Sequence, residues 1–195
     1  MKEGLSEIIC VIDSSGSMKL IKNDAIGGFN TFLEEQKKLP GEGTLTLIQF
    51  NTDYEVIHEN KPLSDVSPIN DKDYIPRGST ALLDAIGKAV DSTGRRLANT
   101  PEENRPEKVI VAILTDGKEN ASTSYDLSKI KDMIRHQKEK YSWEFIFLGA
   151  NQDAFAEAAK IGIDSKDTLN FAATDDGIRS AYSDMSNSIS TYRKK

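Results

Sequence analysis

One cysteine, two histidines and one tryptophan occur among the 195 residues. With Cys10 alone, no disulfide can close within the chain. Its place inside the apolar run Ile8-Ile9-Cys10-Val11-Ile12 predicts a small buried hydrophobe rather than a reactive thiol. His58 falls in an expected edge strand, and His136 on a polar helix face among Arg135, Lys138 and Lys140. Neither stands at a strand end, and no Gly-x-Ser-x-Gly elbow exists, which excludes serine–histidine hydrolysis. No loop of the Gly-x-Gly-x-x-Gly kind follows a strand, so a nucleotide cradle is excluded as well. Cations are outnumbered: 25 Lys and Arg face 31 Asp and Glu, for a net charge of −6. That balance excludes a nucleic-acid binder and a polybasic membrane-surface protein. No apolar stretch approaches the roughly 18 residues that span a bilayer. Residues 1–6 lack the charged-then-apolar-then-small order of a secretory leader, and a cytoplasmic location is the expectation.

What the chain does have is rhythm. Hydrophobic residues make up 37% and charged residues 29%, as in ordinary globular proteins. Three continuous apolar runs, at 8–12, 109–114 and 143–148, read as strands buried on both faces. Residues 44–50 and 54–58 come closer to alternation and belong nearer a sheet edge. The turn Asn51-Thr52-Asp53 joins them as a hairpin. A last short strand is expected at 168–171. Helical spacing fills the gaps, with stripes at Ile26, Phe29, Phe32 and Leu33, at Leu82, Leu83, Ile86, Ala89, Val90 and Leu97, and at Leu127, Ile130, Met133, Ile134 and Tyr141. A shorter helix over 153–161 stops at Gly162, and a final one runs over 175–193. Segments 60–77 and 99–108 read as loops. Strands alternating with helices give an α/β fold, a doubly wound, Rossmann-like, mostly parallel six-stranded sheet. It has helices on both faces and one antiparallel edge strand, and residues 1–195 form a single domain. Gly27-Gly28 inside the first helix predicts a close approach of that helix to the sheet.

Ligands of open parallel sheets bind beyond the carboxyl ends of the strands, where strand order reverses. The first and fourth strands are the most uniformly apolar and therefore central, and they end at Asp13 and Asp116. Two carboxylates across one crevice need a cation or a shared proton between them. In Asp13-Ser14-Ser15-Gly16-Ser17-Met18, alternate positions bring Asp13, Ser15 and Ser17 to one side of a turn, and Thr80 stands just before a helix. An oxygen-only donor set suits a hard cation, Mg²⁺ or Mn²⁺, with Ca²⁺ less favoured by a hydroxyl-rich octahedron.

Asp13-x-Ser15-x-Ser17, Thr80 and the turn Thr115-Asp116-Gly117 resemble the metal-ion-dependent adhesion site of von Willebrand factor type A domains. The likeness of strand-helix order covers essentially the whole chain. The resemblance implies that Ser15 and Ser17 bind the metal through their hydroxyls and Thr80 directly or through water. Asp13 and Asp116 would act partly through bridging waters. It further implies a cation with a position open for an Asp or Glu of a protein partner, so that the chain is an adaptor or assembly factor and not an enzyme. In some relatives the last helix slides when the site engages its ligand, and the serine-rich composition over 180–190 would permit this.

Two other functions fit the same ion. One is a phosphate-ester hydrolase of the haloacid-dehalogenase type, which needs an acid two residues after its nucleophilic Asp; here that position is Ser15. The other is a fold whose metal is only structural. At the rim, Met18, Lys118 and Glu119 are expected to face the partner. No exposed heptad or continuous apolar face points to an obligate oligomer, and a monomer is the expectation.

Overall fold

The computed structural model describes residues 1–150 and 153–194. In chain order the elements are β1 (Lys2–Asp13), a 3-10 helix (Gly16–Ile21), α1 (Lys22–Lys38), β2 (Glu42–Phe50), β3 (Tyr54–Pro62) and α2 (Leu82–Ala98). There follow β4 (Pro106–Thr115), α3 (Leu127–Tyr141), β5 (Glu144–Ala150), α4 (Ala154–Lys160), β6 (Thr168–Phe171) and α5 (Asp175–Lys194). The six strands form one sheet in the order β3-β2-β1-β4-β5-β6. Only the β2–β3 pair is antiparallel.

Side-chain alternation along β1 builds two cores. Ile8, Cys10 and Ile12 point to the face covered by α1 and α5, meeting Phe29, Phe32, Leu33, Ile178 and Met185. Ile9 and Val11 point to the other face, where Ile86, Val90, Ile130 and Ile134 of α2 and α3 close over them with Ala154 and Ala158 of α4. Because both faces are covered, the central strands contain no polar stripe. Cys10 is fully buried, and burial pushes its thiol pKa up. Chain order reverses between β1 and β4, so the crevice above that pair lies at the carboxyl ends of both.

Several boundaries differ from the sequence reading. Residues 60–62 belong to β3 and not to a loop. Asn60, at φ 41°, bulges there, its N–H bonding Thr46 Oγ1 at 2.9 Å while the pairing register shifts. Residues 106–108 begin β4: proline is tolerated as the first residue of a strand, and Pro106 pairs with Lys2. β1 correspondingly starts at Lys2. β2 is buried on both faces from Leu45 onward, having only β3 outside it. Leu127 and Tyr141, part of the expected α3 stripe, are exposed at the two ends of that helix.

The glycine pair in α1 serves a different contact from the one expected. A Cβ at Gly28 would lie 2.5 Å from the buried ring of Tyr182, so the close approach is between α1 and α5, not α1 and the sheet. Gly27 faces open space. Ser186, within the serine-rich stretch 180–190, does not face solvent. It is buried against Gln36, whose Nε2 donates to Ser186 Oγ at 3.0 Å, while Arg193 donates to the Gln36 carbonyl at 2.8 Å.

Candidate metal centre

Asp13 is the last residue of β1, and the turn after it is pinned from two sides. Ser14 N–H donates to Phe50 O of β2 at 2.7 Å, and the Ser14 carbonyl accepts from Arg77 N–H at 2.8 Å. Gly16 N–H donates to Gly78 O at 3.0 Å, and Met18 N–H to Ser15 O at 3.1 Å, which opens the 3-10 helix. Asn51, at the hairpin turn, donates to Ser14 Oγ at 3.0 Å, and its carbonyl accepts from Ala81 N–H. The hairpin, the 77–81 segment and the first turn are thus one knitted unit.

Four of the five expected ligands touch, Asp116 reaching the first turn from the end of β4. Asp13 Oδ1 accepts from Ser15 N–H at 2.7 Å, and Oδ2 from Thr115 Oγ1 at 2.6 Å. Ser15 Oγ and Ser17 Oγ are 3.1 Å apart, and Ser17 Oγ donates to Asp116 Oδ1 at 2.7 Å. Thr80 joins from the far side. A Cβ at Gly117 would sit 2.9 Å from Thr80 Oγ1 and 3.7 Å from Asp13 Oδ2, so glycine leaves open a space bordered by both oxygens. Gly78 makes the approach possible: it holds φ +68°, and a Cβ there would meet Thr52 Oγ1 at 2.7 Å.

Asp13 and Ser15 are buried, Asp116 is half-buried and Ser17 is exposed, so the cluster opens to solvent on the Ser17 side. Burial raises the Asp13 carboxyl to about 6 against the pull of its hydrogen bonds from Thr115 and Ser15, and the Asp116 charge adds to the rise. Burial raises Asp116 as well, opposed by the Ser17 hydroxyl. Among the described residues no ion pair reaches either carboxylate. No group of three or more His, Cys, Asp or Glu gathers anywhere among them. Two unneutralised carboxylates, three hydroxyls and a cradle kept open by Gly117 fit a hard divalent cation and match no thiolate or imidazole site.

The rim is partly other than expected. Met18 is fully buried in the α1-side core, because the 3-10 helix turns its Met18–Ile21 face inward, and it cannot meet a partner. Glu119 is turned inward too, accepting from Leu83 N–H at 2.9 Å, Ala121 N–H at 2.9 Å, Ser122 N–H at 2.7 Å and Ser122 Oγ at 2.7 Å. Lys118 is exposed. Asn51, Asn120 and Tyr74, whose hydroxyl donates to the Asp13 carbonyl at 2.5 Å, were not legible as site residues, and Thr115 was read only as part of the Thr115-Asp116-Gly117 turn and not as a partner of Asp13. Thr115 alone carried a signal, as a polar residue ending an apolar run beside Asp116.

The family model described as von Willebrand factor type A domain matches residues 7–183. No curated protein sequence matches the chain. Among solved structures, proximal thread matrix protein 1 from the mussel byssus superposes with a TM-score of 0.64 at 17% identity, over 96% of this chain and 46% of that one. The present chain therefore spans about half of that protein's length. A form of the same mussel protein with a zinc-occupied adhesion motif gives 0.63 at 16% identity, over 95% and 46%. The von Willebrand domain of the type V pili tip protein Mfa5 from Porphyromonas gingivalis gives 0.68 at 9% identity, over 97% and 96%.

Proposed function

Because the chain belongs to the von Willebrand factor type A domain family, we propose that it is a protein-binding module that captures an acidic side chain of a partner through a divalent cation. The observation that carries this reading is the convergence of Asp13, Ser15, Ser17 and Asp116, with Thr80 across the Gly117 cradle, and no cation paired to either carboxylate among the described residues. Ser15, Ser17 and Thr80 would supply hydroxyl oxygens to Mg²⁺ or Mn²⁺, and Asp13 and Asp116 the balancing charge. A cation held by so few charged ligands remains a Lewis acid able to take a further carboxylate. The zinc-occupied motif of the mussel protein supports a divalent ion at such a cluster.

The protein's own groups then decide what approaches. Ser17 and Leu20 are three residues apart in a 3-10 helix, so their side chains eclipse at about 6 Å along one face. Leu20 is 92% exposed, while Met18 and Ile21 form the opposite, buried face. Lys19, two residues beyond Ser17, and Lys118, two residues beyond Asp116, are exposed and make no ion pair among the described residues. A carboxylate neighboured by an apolar side chain suits this rim. A binding role, not hydrolysis, is favoured because the position two residues after Asp13 is a hydroxyl, and because His58, in β3, is hydrogen-bonded to the carbonyl of Ser67 beyond that strand. The module is taken to be a cytoplasmic monomer.

The test is affinity capture in millimolar Mg²⁺ with elution by EDTA, beside a column carrying Asp116→Ala. A protein eluted from the wild type and absent from the variant is the expected result. Identical eluates, or turnover of a generic phosphate ester that Asp13→Ala abolishes, would overturn it. Size-exclusion chromatography and cell fractionation check the monomer and its location.

A further inference from the structure

Among the described residues, Thr80 is the one expected ligand that no hydrogen bond ties to the others, yet its backbone is braced on both sides by a single residue. Its N–H donates to Asn120 Oδ1 at 2.9 Å, and its carbonyl accepts from Asn120 N–H at 3.1 Å. Asn120 therefore holds the peptide groups on both sides of the Thr80 Cα, which fixes the direction of its Cβ and hence of Oγ1. The clamp is itself immobilised. Glu119 accepts four hydrogen bonds, one from α2 and three from the 121–122 turn. Asp84 of α2 accepts three more, from the N–H groups of Thr123, Ser124 and Tyr125 at 2.9–3.1 Å.

We infer that Asn120 is a positioning residue of the metal centre, orienting the Thr80 hydroxyl toward the space left open by Gly117. This rests on the reading of that space as a cation site. Thr80 is only 4% exposed, so without the side-chain acceptor its N–H has little access to water and the 78–81 segment must turn to satisfy it. Asn120 itself is exposed. Its amide is thus not needed to fill the core, and removing it should disturb Thr80 far more than the fold. Groups that orient metal ligands without touching the ion typically change affinity by about 10- to 100-fold when lost.

Calorimetric titration of the full chain with MgCl₂ and MnCl₂ tests this in wild type, Asn120→Ala and Asn120→Asp, with melting temperatures in EDTA alongside. Asn120→Ala should weaken cation binding about tenfold or more, with an unchanged metal-free melting temperature. Asn120→Asp keeps an oxygen acceptor for the Thr80 N–H and adds a negative charge near the cation, so it should bind at least as tightly as the wild type. Wild-type affinity in Asn120→Ala, equal losses in both variants, or a loss matched by metal-free destabilisation would overturn the positioning role alone. A wild type that takes up neither ion would overturn the metal centre and this inference with it.

Discussion

Replacing Asp13 by Asn should make the metal-free protein more stable at neutral pH while abolishing its response to Mg²⁺. Asp13 is fully buried, and burial holds its carboxyl at about 6 against an ordinary 3.8. Between those values the folded state keeps a proton that the unfolded chain has released. The stability this contributes is complete below 3.8, falls as pH rises, and is gone above 6. The interval is about 2 units, or about 3 kcal/mol at 1.36 kcal/mol per unit. For a chain of this length that is roughly 6–12 °C in melting temperature. Asparagine is nearly isosteric and its geometry can be satisfied: its Oδ1 would keep the Ser15 N–H, and its Nδ2 would donate to Thr115 Oγ1, which is already 3.1 Å from the Gly117 carbonyl as an alternative acceptor. Urea titrations in EDTA from pH 4 to 7.5 give the curves for both proteins, and their difference isolates Asp13 from other titrating groups. The gap should open in favour of Asp13→Asn as pH rises. Saturating Mg²⁺ should then raise the wild type only, since a ligand of the folded state stabilises it by mass action. Parallel metal-free curves, or a wild type that gains on the variant with rising pH, would refute the reasoning.

The two glycines of α1 should respond oppositely. Gly27→Ala, in open space, should gain roughly 0.5–1 kcal/mol from helix propensity. Gly28→Ala, 2.5 Å from the Tyr182 ring, should lose about 1–3 kcal/mol in chemical denaturation. Asp84 is buried, which would raise its carboxyl, yet the backbone N–H groups of Thr123, Ser124 and Tyr125 hold it below the ordinary value. Its contribution is therefore present at neutral pH and lost on acidification. Asp84→Ala should cost about 1–3 kcal/mol at pH 7, and less near pH 3. Gln36→Ala removes the buried donor to Ser186 and the acceptor for Arg193. It should raise hydrogen exchange along α5 before it does so in β1 or β4, and unchanged protection in α5 would show that the apolar stripe alone holds that helix.

Element order was legible because each element is announced locally. An apolar run such as 109–114, six residues long and rich in Val and Ile, reads as a buried strand, and the 3.6-residue stripe of α2 as a helix that covers the sheet. The strand end at Asp13, the end of β4 one residue before Asp116 and the hairpin at 51–53 follow from patterns within about ten residues, whereas the adjacency of the first and fourth strands follows from the doubly wound order. The donor set of the candidate centre was legible for the same reason, since Asp13, Ser15 and Ser17 share one turn. What surrounds that centre was decided by the fold. Thr115 bonding Asp13, Tyr74 bonding the Asp13 carbonyl and Asn120 clamping Thr80 bridge 102, 61 and 40 residues of chain. Met18 and Glu119 sit beside the motif in sequence, but the pitch of a 3-10 helix and four inward hydrogen-bond donors turn them away from the surface. Side-chain chemistry and spacing determine which groups a turn can offer. Which of them face solvent, and what holds them there, depends on backbone groups that tertiary packing alone brings within reach.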